Sequence, residues 1–243
     1  IGTDFGLNKY NRETETFSHY LYNPDDSNTI INNDIRSIFE DSFGNLWVGT
    51  NDGLDRFERE LNTFIHYRVD PDNLESISGN IIYSLYEDSF GNLWIGTNNG
   101  LNKFDMELNR FTHYFYDSDD PDSISSNSIW SIYEGRDNIL WFGTHNGGVN
   151  KLDYRKGIFT CYKNKLYDSN SLSSNIIWSV CEDYNGILWI GTDYGLNCYN
   201  RQTKTFTRYL NDPNDPSSIS YNVITTIYED SYWAVVGAFY TNT

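Results

Sequence analysis

Large aromatic and cationic side chains occupy one repeated position in this chain. Five copies of an Asn-x-Ile segment are each followed by a variable residue. These residues are Arg36, Tyr83, Trp130, Trp178 and Thr225. A position that only supports the fold is expected to repeat, whereas aromatic rings can stack on sugar rings and an arginine can clamp a carboxylate or sulfate. The pattern predicts a binding site for a polar ligand where these side chains converge. The alternative is that they only fill the centre of the fold.

A second variable position follows a repeated threonine. The pairs found there are Asp4-Phe5, Asn51-Asp52, Asn98-Asn99, His145-Asn146 and Asp193-Tyr194. Amides and carboxylates bind sugar hydroxyls, but Asn and Asp are also common turn residues, so turn chemistry is an alternative for the asparagines. His145, Asp193 and Tyr194 depart from the local pattern and are stronger candidates. The predicted ligand-binding set is Arg36, Tyr83, Trp130, Trp178, His145, Asp193, Tyr194, Asn51, Asn98 and Asp4.

The histidines and acidic loops do not predict a metal centre. His19, His66 and His113 share a repeat position that also holds Cys161 and Arg208. This position falls on the outermost predicted strand of separate repeats, so the side chains cannot meet at one ion, whose ligand bonds are about 2 Å long. We expect solvated edge residues there. The Asp-Pro-Asp loops lack the terminal bidentate Glu of a dedicated calcium loop. We predict no metal, no cofactor and no catalytic residue.

Composition excludes several classes of partner. The formal net charge is −17 and no Lys or Arg residues cluster, which argues against nucleic acid because phosphate binding needs a basic surface. No stretch approaches the roughly 20 apolar residues of a membrane helix, so no membrane segment is expected in this chain. The three cysteines, Cys161, Cys181 and Cys198, fall at different repeat positions and do not predict a disulfide framework.

A tryptophan motif shows which elements must position the candidate residues. The sequence Leu-Trp-x-Gly-Thr recurs around Trp47, Trp94, Trp141 and Trp189, every 47 or 48 residues. One repeat contains predicted strands at 81–86, 93–97, 101–104 and 111–114, separated by turn residues. Four short antiparallel strands with this period are typical of a β-propeller blade. The Trp lies on the second strand, where it is expected to wedge between adjacent blades.

The repeats predict an all-β protein with one propeller domain over residues 1–243. The chain enters a repeat at its second strand (1–7) and ends with a first strand (222–230), so five repeats are present. Pairing of the N- and C-terminal strands would close a five-bladed ring. The alternative is a fragment of a larger ring. After Asp230 the pattern weakens, and we make no prediction for that tail.

The repeat resembles the two-component regulator propeller repeat over nearly the whole chain. The resemblance is carried by segments 123–129, 182–192 and 211–220. It implies the extracytoplasmic (periplasmic or cell-surface) sensor of a hybrid histidine kinase, often responsive to carbohydrates, with a covalent or non-covalent link to that kinase. Rings of that family usually have more than five blades, and this chain contains no kinase or receiver segment.

These observations favour a non-catalytic module that senses a small molecule or oligosaccharide. Two alternatives stay open. One is a scaffold that binds other proteins through its acidic face or blade edges. The other is a propeller lyase or glycosidase, for which Asp4 and Asp193 are conceivable paired carboxylates and His145 a conceivable base.

Overall fold

The computed structural model describes residues 1–229 and 234–237, and within them it contains strands but no helix. The chain divides into two compact units, Ile1–Tyr114 and Phe115–Thr243. Each unit consists of antiparallel sheets whose strands follow chain order. No helix among the described residues is long and apolar enough to span a membrane.

The first unit contains one three-stranded and two four-stranded sheets. The first sheet comprises β1 (Gly2–Thr3), β2 (Gly6–Asn11) and β3 (Thr16–Tyr20). The second comprises β4 (Ile35–Glu40), β5 (Leu46–Thr50), β6 (Leu54–Glu58) and β7 (Thr63–Tyr67). The third comprises β8 (Ile82–Glu87), β9 (Leu93–Thr97), β10 (Gly100–Asp105) and β11 (Arg110–Tyr114). The third sheet matches the predicted strands to within one residue at every boundary.

In the second unit, two four-stranded sheets are followed by a two-stranded one. The fourth sheet comprises β12 (Ile129–Glu134), β13 (Leu140–Thr144), β14 (Val149–Asp153) and β15 (Ile158–Tyr162). The fifth comprises β16 (Ile177–Glu182), β17 (Leu188–Thr192), β18 (Gly195–Asn200) and β19 (Thr205–Tyr209). The last comprises β20 (Thr226–Glu229) and β21 (Ala234–Gly237).

Within each unit the first strands of successive sheets pack against one another, β4 on β8, and β12 on β16 on β20. This packing of four-stranded antiparallel sheets is the arrangement of propeller blades, and the predicted fold class is confirmed. The predicted entry at a second strand is also found, because β1 pairs with β2 in an incomplete sheet. Ring closure and the single five-bladed domain stay predictions.

The repeated tryptophan lies between blades, as predicted. Trp47 is fully buried, and its ring centroid lies 5.5 Å from that of Phe104 on the next blade. Its indole Nε1 donates a hydrogen bond to the Asp41 carboxylate at 2.8 Å. The same carboxylate accepts the backbone N–H groups of Phe43 and Asn45 in the β4–β5 turn. Asp41 belongs to a Glu-Asp pair that recurs at this turn, so the repeated aspartate serves as a turn acceptor.

The tail beyond Asp230 is described only in part. Val235 on β21 pairs with Tyr228, the register position at which Trp47 pairs with Phe39 in the second sheet. Residues 234–237 therefore form a second strand without the repeated Trp. Trp233 lies outside the described residues.

His66 corrects the expectation of a solvated edge histidine. On β7 it is half-buried, with Nδ1 2.5 Å from Oδ1 of the fully buried Asp55 and Nε2 2.8 Å from the Ser27 carbonyl oxygen. Both partners are acceptors, so only the doubly protonated imidazolium donates to both. The hydrogen bond that His66 donates to the Asp55 carboxylate raises the pKa of His66 above its ordinary value, and burial raises the pKa of the Asp55 carboxyl. The positive charge of Arg68 lowers both pKa values, against these larger effects.

This pair predicts a pH dependence of stability. Both pKa values are higher in the folded protein, so the folded state binds protons more tightly and stability falls as pH rises. For His66 the contribution is complete below about pH 6.5 and is lost as pH rises through its raised pKa. We expect the denaturation midpoint of the wild type to fall more steeply above that pH than that of His66→Gln. Asp55→Asn, which restores the asparagine found at the equivalent positions 102, 150 and 197, serves as the second variant. Equal slopes in all three proteins would contradict the assignment.

Candidate functional site

Each complete first strand contains a β-bulge at the variable position. The pairing register shifts between Ile35 and Ser37, so Arg36 is the extra residue of β4. The same shift occurs in β8, β12 and β16, where the extra residues are Tyr83, Trp130 and Trp178. A bulge bends its strand and changes the direction of a side chain, and bulges are common next to binding sites. The residue that varies is therefore the residue with special backbone geometry.

The two predicted loop sets lie at the same end of each sheet. The backbone N–H of Asn51 donates to the Asp34 carbonyl at 3.0 Å, which joins the β5–β6 loop to the start of β4. The equivalent bond recurs in the next three sheets. It joins Asn98 to Ile81, His145 to Ser128, and Asp193 to Ile176. Within each blade, the bulge residue and the loop residue therefore lie at a common edge.

An aromatic cluster forms at this edge in the second unit. The ring centroids of Trp130 and Trp178 lie 4.4 Å apart, and those of Trp130 and His145 lie 4.6 Å apart. The Asn146 side-chain amide lies 3.1 Å from His145 Nδ1. All three rings are half-buried, so each keeps part of its surface accessible to solvent. The structure thus brings together three of the predicted site residues, and we call Trp130, His145 and Trp178 the aromatic cluster.

Polar atoms without a protein partner accompany the cluster. Among the described residues, Trp178 Nε1, Asp193 Oδ1 and Thr225 Oγ1 are buried and have no hydrogen-bond partner. Asp193 holds the loop position in its blade that His145 holds in the preceding one, and Thr225 is the fifth residue of the variable series. Burying such groups without a partner costs free energy, so they mark places where a polar ligand or water is favoured. The set contains two donors and one carboxylate acceptor.

In the first unit the predicted residues have more polar surroundings. The Arg36 guanidinium pairs with the Asp34 carboxylate at 2.8 Å, with 44% of the arginine side chain exposed. Tyr83 is half-buried, whereas Asn51 and Asn98 are exposed. Asp34 Oδ1 is buried and has no partner within the described part of the chain. Arg36 and Tyr83 lie in a different compact unit from the aromatic cluster, and their convergence with it stays a prediction.

Two predicted residues are exposed turn residues. Asp4 follows β1 and is exposed. Tyr194 is 55% exposed, and its backbone N–H donates to the Thr192 hydroxyl. No described side-chain contact joins either residue to the aromatic cluster. Both remain predicted ligand contacts.

Sequence reasoning missed the residues beside the bulges. The serine after each bulge residue has a buried hydroxyl without a hydrogen-bond partner in the described residues. These serines are Ser37, Ser84, Ser131 and Ser179. They repeat in the four complete blades, which is the pattern expected of a position that supports the fold, so the sequence did not single them out. Asp34 was also missed, although the equivalent positions 81, 128 and 176 hold Ile or Ser.

The described residues contain no group of three or more His, Cys, Asp or Glu side chains arranged to hold a metal ion. The three cysteines are free thiols. The side chains of the candidate site can stack on a ligand, hydrogen-bond to it and pair with its charges.

Comparison with solved structures supports the same fold. The extracellular domain of BT3049, assigned to a hybrid two-component system of B. thetaiotaomicron, superposes with a TM-score of 0.73 at 21% identity, covering 97% of this chain and 36% of that one. The extracellular domain of BT4673 from the same organism, assigned to a one-component system, gives 0.73 at 23% identity, covering 97% and 29%. PorZ of Porphyromonas gingivalis, a surface component of the type-IX secretion system, gives 0.58 at 17% identity, covering 84% and 31%. This chain spans about a third of the length of these proteins.

A search of curated proteins found no significant match. The profile of the two-component regulator propeller, however, matches four segments, residues 29–52, 76–99, 123–146 and 171–194. Each segment runs from the loop before a first strand, through the bulge and the tryptophan motif, to the variable loop. Four repeats of this chain therefore match the two-component regulator propeller repeat.

Proposed function

We propose that this chain is a non-catalytic ligand-binding module of a sensor protein, and that its ligand is a carbohydrate or similar polar ring compound. The observation that carries the proposal is the aromatic cluster with its unpaired polar neighbours. Partly exposed indole and imidazole rings offer apolar faces for the C–H surface of a sugar ring. Trp178 Nε1, Asp193 Oδ1 and Thr225 Oγ1 can hydrogen-bond to hydroxyl groups.

The similar solved structures support a proposal about where the module is located and what it is linked to. BT3049 and BT4673 are described as extracellular domains of two-component and one-component systems. We propose that this chain is likewise extracytoplasmic and belongs to a signalling protein linked to a histidine kinase. Arg36, Tyr83, Asn51, Asn98, Asp4 and Tyr194 are proposed as further ligand contacts from the other variable positions.

Loss of a cluster indole is expected to weaken ligand binding. Oligosaccharides from plant and host polysaccharides are screened by calorimetric titration, and a binding ligand is then titrated into Trp130→Ala and Trp178→Ala. Because each indole supplies a stacking surface, we expect the Kd to rise about tenfold or more in both variants.

The matched control is Tyr167→Ala, which removes an aromatic ring that is 97% exposed on a loop outside the cluster. Circular dichroism confirms that all variants are folded. If both tryptophan variants bind as well as the control, the aromatic cluster is not the ligand site. If no oligosaccharide binds the wild type, the carbohydrate assignment fails.

A further inference from the structure

One blade lacks the carboxylate that accepts a hydrogen bond from the buried tryptophan in the other blades. Trp47, Trp94 and Trp189 each donate from Nε1 to an aspartate at 2.7 or 2.8 Å. In the fourth sheet the corresponding residue is Gly135, and Trp141 Nε1 is buried without a hydrogen-bond partner among the described residues. Trp141 itself is only 1% exposed. The Trp141 indole N–H thus lacks the aspartate acceptor that is present in three other blades.

A cavity of about 230 Å³ opens beside this indole. Its lining comprises three aromatic residues, three cationic residues, one threonine and one carboxylate, namely Trp141, Tyr162, Tyr199, Lys151, Arg201, Lys204, Thr160 and Asp137. It lies between two blades of the second unit, at the edge that carries the β12–β13 and β18–β19 turns. The aromatic cluster lies at the other edge of the same sheets, so the two sites are separate.

The lining is rich in donors and cations. Arg201 pairs with Glu182 and Asp137, but its Nε is buried without a partner within the described residues. Lys151 Nζ lies 6.0 Å from the centroid of the Trp141 ring. In the part of the chain that the structure describes, neither Lys151 nor Lys204 takes part in an ion pair. These two ammonium groups give the cavity local positive charge in a chain of net charge −17, and Arg201 already neutralises the Asp137 carboxylate of the lining.

The surroundings of Gly135 are side-chain ends. A Cβ at Gly135 would lie 2.7 Å from Glu182 Oε2, which is the end of a flexible side chain. Lys204 lies in the β18–β19 turn with a φ of 59°, a left-handed conformation that the equivalent turn residues Glu15, Asn62, Asn109 and Gly157 share.

We propose that this cavity binds the carboxylate group of a small organic acid. The carboxylate takes the place of the missing aspartate, accepting from Trp141 Nε1 and Arg201 Nε, with Lys151 and Lys204 neutralising its charge. Charge-assisted hydrogen bonds of this kind are about twice as strong as neutral ones. The site is a second binding site, independent of the proposed carbohydrate site.

Acetate is the probe, and the Trp141 indole N–H resonance is the readout. Protein labelled with ¹⁵N-tryptophan is titrated with sodium acetate at constant ionic strength against sodium chloride, and Trp141→Phe identifies the resonance. We expect a saturable downfield shift of this one indole signal with acetate and none with chloride. The six other indole signals should stay unchanged.

The charge requirement is tested by Lys151→Gln/Lys204→Gln, for which we expect the acetate Kd to rise about fivefold. Lys163→Gln, an exposed lysine outside this cavity, is the matched control and should bind as the wild type. An unchanged Trp141 signal, an equal response to chloride, or equal affinity in the double variant and control would each overturn the proposal. Trp178→Ala should leave acetate binding intact, which distinguishes this site from the aromatic cluster.

Discussion

Replacement of Trp47 by alanine is expected to lower the free energy of unfolding by about 3 to 5 kcal/mol, the range for a fully buried Trp or Phe. The side chain is 0% exposed and belongs to a core cluster with Leu54, Ile82 and Phe104. Its loss removes the contact between neighbouring blades and leaves a cavity that their strands cannot fill. It also leaves the buried Asp41 carboxylate without its indole donor.

The measurement is chemical denaturation followed by far-ultraviolet circular dichroism. Phe43→Ala is the matched control, because Phe43 lies in the adjoining turn and is 76% exposed. We expect its effect to be below about 0.5 kcal/mol. If Trp47→Ala lowers the free energy of unfolding by less than about 1 kcal/mol, Trp47 does not have the role in packing between blades that is assigned to it.

The second large effect is expected at a glycine of the tryptophan motif. An alanine Cβ at Gly143 would lie 2.2 Å from Ser131 Oγ and 2.6 Å from Ile177 Cγ2. The serine hydroxyl can rotate away, but Ile177 is fully buried on β16, which packs against β13. Gly143→Ala therefore forces two blades apart, and overpacking of this kind costs about 1 to 3 kcal/mol.

This prediction is checked by a double-mutant cycle. Ile177→Ala removes the atom that the new Cβ would overlap, so the double variant should be more stable than the sum of the two single losses indicates. Thr207→Ala, at an exposed position on β19, is the control for alanine in a strand. Strict additivity of the two changes would show that the close approach at Gly143 is not the cause.

These two positions explain the repeated tryptophan motif in physical terms. In Leu-Trp-x-Gly-Thr, the Trp fills the space between blades and the Gly lets the next first strand approach. Thr50 shows the role of the last residue, because its buried hydroxyl donates to the Gly53 carbonyl oxygen at 2.8 Å and closes the following loop. The Trp role was predicted from the sequence, whereas the Gly role was not, since close approach depends on a neighbour 34 residues away in the case of Gly143 and Ile177.

The candidate site was predicted only at the level of positions. Comparison of repeats singled out Trp130, Trp178 and His145, because a residue that varies at a fixed structural position is under a different constraint from the scaffold. The bulge, the contacts among the three rings and the unpaired atoms beside them were not predictable. A bulge depends on how two strands pair, and stacking depends on how two blades pack.

The histidine position illustrates the same limit. Sequence spacing correctly placed His66 on an outer strand, from which solvation was expected. The pair is instead held by the segment before β4, whose Ser27 carbonyl contacts His66 and whose Ile31 backbone N–H donates to Asp55. The sequence shows Asp55 where other repeats have asparagine. That this aspartate pairs with His66 could be seen only from the structure.

The sequence by itself determined the all-β class, the strand boundaries and the tryptophan between blades, because local turn chemistry, alternating apolar residues and a regular period encode them directly. Only the tertiary structure decided which variable side chains touch, where buried donors lack acceptors, and why Gly143 must be glycine. The physical reason is that hydrogen-bond satisfaction and close packing depend on atoms from separate blades, whose relative placement the chain's local pattern does not contain.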